Sequence, residues 1–119
     1  MKGNVILFCF WSLIATAQAS EKRLDAETLK TLLSDITLSS TETGRDMQQV
    51  FRGSGSTFII DTETGQQSQG FWKLRGDKYC SQWPPSENWE CFGVYGNDQG
   101  VVFVSSYGKR FQMELPPAD

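Results

Sequence analysis

The chain reads as a mainly β protein: a small antiparallel meander, sheet or barrel, with one short N-terminal helix and one disulfide. Three observations predict this. Short apolar and β-branched runs recur about every ten residues through the second half of the chain. Turn formers separate them, among them Thr62-Glu63-Thr64-Gly65, Arg75-Gly76-Asp77, Pro84-Pro85-Ser86-Glu87 and Gly96-Asn97-Asp98-Gln99-Gly100. An apparent export leader leaves two cysteines behind it, the even number that an oxidised pair requires.

The leader begins with Lys2, continues as an apolar run from Val5 to Ala15, and ends in Ala17-Gln18-Ala19. A basic start, a short apolar core and small residues at −3 and −1 make a secretory signal, with cleavage expected after Ala19. The run is too short to span a bilayer, so no stable membrane insertion is expected after cleavage. The chain therefore divides into a signal peptide at 1–19 and one small β domain at 20–119. Without Lys2, ten basic residues face fourteen acidic ones, a net charge of −4. Such a balance gives no electrostatic footprint for nucleic acid.

In the mature part the first element is a helix over 26–34. Asp25 is a suitable N-cap, Leu24 and Leu29 have hydrophobic-staple spacing, and Glu27 lies in the first turn. Leu29, Leu32, Leu33 and Ile36 form one apolar stripe expected to pack on the β core. Residues 39–46, rich in Ser, Thr, Glu and Gly, read as a loop or an irregular edge strand.

Strands follow over 57–61, 67–74, 78–83, 89–95, 101–105 and 109–115. The last is the clearest, because Phe111, Met113 and Leu115 alternate with Arg110, Gln112 and Glu114. Cys9 leaves with the leader, so Cys80 and Cys91 pair as a structural disulfide. If they face each other across a hairpin, Gln82 faces Trp89 on the same side, while Tyr79 faces Phe92 and Ser81 faces Glu90 on the other. The Tyr79, Phe92 and Val94 side is then the core side, and the disulfide and Trp89 lie on the second face.

The run Gly70-Phe71-Trp72, followed by Gly76-Asp77-Lys78-Tyr79-Cys80, Trp83, Cys91 and Val94-Tyr95, resembles a family of small exported proteobacterial proteins of unknown function. Leu32-Leu33-Ser34 is similar to that family's opening segment, and the resemblance covers roughly residues 26–108. The Thr62–Gly65 turn departs from it, lacking the usual Asp-Gly. The resemblance implies a fold and an envelope location, with no activity attached. A periplasmic or secreted protein is the expectation.

Chemistry has few carriers. The chain has no histidine, so neither a Ser-His-Asp nor a Cys-His arrangement exists, and a zinc or haem site lacks its usual ligands. Asp61 and Glu63 imitate only the start of a calcium loop. Glu87 and Glu90 flank Trp89 as a glycosidase pair would, but such pairs are common on solvated hairpins. Arg52-Gly53-Ser54-Gly55-Ser56 lacks the helix and lysine of a phosphate cradle. No enzyme activity, cofactor or metal is expected.

The aromatic residues remain. Most should be core, but Trp83 and Trp89 flank the Pro84-Pro85 turn that the disulfide stiffens. Trp83, Pro84, Pro85 and Trp89 are therefore the candidate binding residues. One expectation is a non-catalytic envelope protein that docks this turn on an unknown protein partner, as an inhibitor or accessory partner of a secreted enzyme. The alternative is a carbohydrate- or small-ligand-binding barrel that uses tryptophan stacking. Both tryptophans exposed on a convex tip would favour the first, and tryptophans lining a concave mouth the second.

Overall fold

The computed structural model describes residues 21–40 and 46–117; the expected leader and its cleavage site lie outside them. Nine strands and one helix follow in order: β1 (Lys22–Arg23), α1 (Ala26–Leu33), β2 (Ile36–Ser40), β3 (Met47–Phe51), β4 (Ser56–Asp61), β5 (Gln67–Arg75), β6 (Lys78–Gln82), β7 (Trp89–Asn97), β8 (Gly100–Val104) and β9 (Arg110–Glu114). From β2 to β9 every strand pairs antiparallel with the next, and β9 returns to β2 through Ser39 and Glu114. The meander thus closes into an eight-stranded up-and-down barrel. The short β1 is added to the end of β7, with Arg23 opposite Tyr95.

Pleating assigns alternate residues to the lumen. Leu38 on β2, Phe51 on β3, Trp72 on β5, Tyr79 on β6, Phe92 and Val94 on β7, Val101 and Phe103 on β8, and Met113 on β9 form one buried cluster. Its centre is aromatic. The Phe51 ring meets Trp72, Tyr79 and Phe103 edge-on, at 5.7, 5.3 and 6.3 Å between centroids.

One end of this barrel is plugged. The Asp25 carboxylate caps α1 by accepting from the Thr28 N–H at 2.9 Å, and Leu29 and Leu33 sink fully into the core cluster. Two tethers hold the helix over the opening. The Asp77 carboxylate in the β5–β6 turn accepts from the Ala26 N–H at 2.8 Å. The Asp35 carboxylate accepts from the Gly53 N–H in the β3–β4 turn, also at 2.8 Å. Both turns lie at the same end of the strands, so the helix lies across that end. At the other end, the chain passes through 62–66, 83–88 and 105–109, and no described helix crosses it.

Three sequence expectations are corrected here. The helix stops at Leu33, because Asp35 takes a left-handed backbone conformation (φ 66°) that ends it. Ile36, counted on the helical stripe, instead opens β2, and Ser39 and Ser40 complete that strand. β3 was not expected as a strand at all. Its Met-Gln-Gln-Val-Phe sequence has few β-branched residues and places Gln49 among the inward positions, which hides the alternation. The hairpin register is as expected: Cys80 opposes Cys91, Gln82 opposes Trp89, Tyr79 opposes Phe92 and Ser81 opposes Glu90. The disulfide joins Cys80 and Cys91 on the outer face, with Cys80 fully buried.

Candidate functional site: the open mouth of the barrel

Above the aromatic layer the described residues leave part of the lumen unfilled. A cavity of about 510 Å³ opens toward the unplugged end. Its wall is largely apolar: Met47 on β3, Ile59 on β4, Phe92 on β7, Phe103 on β8, and Phe111 and Met113 on β9. Trp83, just past the end of β6, completes it. The volume falls within the ordinary range for sites that take small organic molecules.

Trp83 reaches this position because of Gly70. A methyl group at Gly70 would lie 2.5 Å from the Gln82 carbonyl oxygen and 2.6 Å from the Trp83 ring. Only a residue with no side chain allows the indole to pack flat against β5. The indole N–H is then anchored by donating to the Ser81 hydroxyl at 3.2 Å. The ring is half-buried, with one side on the barrel wall and the rest bordering the cavity.

The cavity floor carries a small polar cluster. Gln49 Nε2 donates to the Tyr79 hydroxyl at 2.9 Å and to Thr57 Oγ1 at 3.2 Å, and Thr57 Oγ1 in turn donates to the Val50 carbonyl at 2.9 Å. Gln49, Thr57, Tyr79 and Ser81 are all buried. Burial pushes the Tyr79 hydroxyl above the ordinary tyrosine range, with hydrogen bonds from Ser81 and Gln49 opposing the shift and the Glu90 charge adding to it. It is therefore neutral at any physiological pH. At the rim, Lys109 Nζ sits 5.1 Å over the Phe111 ring, and the exposed Tyr107 hydroxyl donates to Glu90 Oε2 at 2.9 Å. That bond and the Glu90 charge raise the Tyr107 pKa as well. Arg110, which also lines the cavity, pairs with Glu21.

The two candidate tryptophans part company. Trp83 faces the mouth, whereas Trp89 is half-buried on the outside of the barrel, its ring covered by Lys73 Nζ at 4.1 Å. Pro84 and Pro85 are exposed between them, in a turn held by Ser86 N–H to the Trp83 carbonyl and by Gln82 Nε2 to the Glu87 carbonyl. No single convex tip presents both rings. Two of the carboxylates considered for chemistry, Asp61 and Glu63, have structural duties. Asp61 caps its own turn by accepting from the Glu63 and Thr64 N–H groups, and Glu63 accepts from the Asp46 N–H. Among the described residues no group of three or more acidic, cysteine or histidine side chains converges as a metal site would, and no helix is long and apolar enough to cross a membrane.

Sequence reasoning found Trp83 but missed Gln49, Ile59, Phe103, Phe111 and Met113 as a shared wall. The parity of β3 was the available signal: Met47, Gln49 and Phe51 share a face, and a glutamine there faces the lumen. The chain matches no family model, and no curated protein or solved structure is significantly similar to it.

Proposed function

We propose that this protein is an exported, non-catalytic binding barrel that takes one small, mostly apolar molecule into the open mouth of the barrel. The observation that carries this reading is the combination of a plugged lower end and an apolar cavity of about 510 Å³ above it. Native cores are packed without voids much larger than a water molecule, so a cavity this size is a feature that folding alone does not need. Trp83 supplies a flat ring at the edge of the opening, suited to stacking on a planar or cyclic ligand. The placement of Trp83 in the mouth favours this reading over a protein partner docked on the Pro84–Pro85 turn. The apolar wall also suits hydrocarbon better than a sugar, whose hydroxyls need more partners than this cavity offers.

The reading fits a periplasmic or secreted location, in which the Cys80–Cys91 disulfide survives and the expected leader directs export. The test is binding of the neutral, environment-sensitive dye N-phenyl-1-naphthylamine by the purified protein. Saturable fluorescence enhancement is expected. Ile59→Trp, which fills the cavity from β4, should weaken it by about tenfold or more while the far-ultraviolet circular dichroism stays that of the parent. Equal dye binding by a well-folded Ile59→Trp variant would place the dye elsewhere and sink the proposal.

A further inference from the structure

Gln49 offers more than a lining surface. It is only 7% exposed, and both hydrogens of its Nε2 are committed, to Tyr79 and to Thr57. The orientation of the amide is fixed by its neighbour. Thr57 gives its single hydroxyl hydrogen to the Val50 carbonyl, so its oxygen is free only to accept. Turning the amide over would press two acceptors together. Gln49 Oε1 is therefore left without a protein partner among the described residues, and it is not sealed in, because no fully buried polar side-chain atom there lacks one. Gln49 is itself one of the residues that line the cavity.

A nearly buried acceptor at the floor of an apolar cavity selects for a donor. An occupant that brings only hydrocarbon to the floor would strip this oxygen of solvent and give nothing back. A carboxylate would set its own acceptor oxygens against it, and among the described residues the floor offers no cation to compensate, only the Tyr79 and Ser81 hydroxyls. From this we infer that the natural occupant is a neutral, largely apolar molecule carrying a hydroxyl group, bound hydroxyl-first with its donor on Gln49 Oε1. Its hydrocarbon body lies against Ile59, Phe103 and Met113 and leaves past Trp83. The inference rests on the reading of the mouth as a ligand site and adds the head group and the direction of entry. Lys109, on the exposed rim, offers the competing arrangement: an anionic amphiphile bound tail-first with its charge outside.

Displacement of the naphthylamine dye separates the two. The competitors are 1-decanol, decanoate and methyl decanoate, which share a chain but differ in donating and in charge. On the parent protein 1-decanol should displace the dye about tenfold more tightly than methyl decanoate, the size of one net hydrogen bond, and more tightly than decanoate. Gln49→Met should remove the advantage of the alcohol over the ester, and the ester should bind no more weakly than before, since the acceptor it left unpaired is gone. The ligand series on the parent protein decides the matter even if that variant folds poorly. Equal binding of alcohol and ester would overturn the inference while the binding-barrel reading stands. Tightest binding by decanoate, lost in Lys109→Ala, would overturn it in favour of the anionic amphiphile. Absence of dye binding altogether would overturn both.

Discussion

A single missing side chain sets the shape of the mouth. Gly70 lies on the lumen face of β5, and its lack of a Cβ is what lets the Trp83 indole rest against the strand. The geometry makes Gly70→Ala an overpacking change, since the added methyl would stand within 2.6 Å of both the Gln82 carbonyl and the indole. Either the ring swings out or the end of the β5–β6 pair opens. The expected cost is about 1–3 kcal/mol, seen as a lower urea midpoint, together with weaker dye binding. Unchanged stability and unchanged binding would show that Trp83 has room to move and does not border the site as described. Trp89 illustrates the opposite case. It too flanks the Pro84-Pro85 turn in the chain, but its strand parity sends it outside, beneath Lys73.

Among the elements, α1 is the one whose formation depends most on a local signal. Eight residues are too few to hold a helix in water, so it relies on its cap, on Leu29 and Leu33, and on the tethers from Asp77 and Asp35. The Thr28 backbone N–H, and after it the Thr28 side chain, hold the Asp25 carboxyl below its ordinary value of 3.8. The folded pKa is thus lower than the unfolded one. The stabilising contribution is then present above the unfolded value and lost as pH falls through the folded value. Asp25→Ala should lower the melting temperature near neutral pH, and the gap between variant and parent should narrow in acid. Asp25→Asn, which keeps the cap without titrating, should show no such narrowing relative to Asp25→Ala. A gap independent of pH would mean that the carboxylate is not what caps the helix.

β3 shows how an element escapes a reading by composition. Its inward residues are Met47, Gln49 and Phe51, two apolar side chains interrupted by an amide. That interruption broke the pattern of a buried strand, and it is also the polar spot on the cavity floor. What made the strand hard to see is what makes it interesting.

For the molecule as a whole, closure of the barrel and the disulfide act on different states. Among the described strands closure leaves no free sheet edge apart from the short β1, so every strand from β2 to β9 has at least two hydrogen-bonded neighbours. The disulfide links residues separated by 11 positions across one hairpin and acts chiefly by restricting the unfolded chain. A loop of that size corresponds to about 3 kcal/mol, a large share of the stability of a small domain. Reduction should therefore lower the melting temperature by several degrees while leaving a β-type circular dichroism spectrum. A melting temperature insensitive to reductant would show that the barrel's own pairing carries the stability.

The mainly β class, the capped helix, the hairpin register and the Cys80–Cys91 pair were legible in the sequence because each rests on residues close together in the chain. Turn residues, strand alternation, a cap and its first turn, and two cysteines across one hairpin all act over short separations. Closure of the barrel was left open between sheet and barrel, since it depends on β9 meeting β2 across most of the domain. The mouth was out of reach for the same reason. Ile59, Phe103, Phe111 and Met113 come from three strands, and Gln49 from a fourth that composition did not mark. Whether an inward apolar residue fills a core or borders a cavity depends on how much lumen the plugging helix occupies. Only the tertiary structure decides that, because α1 fills one end of the barrel and no described helix fills the other.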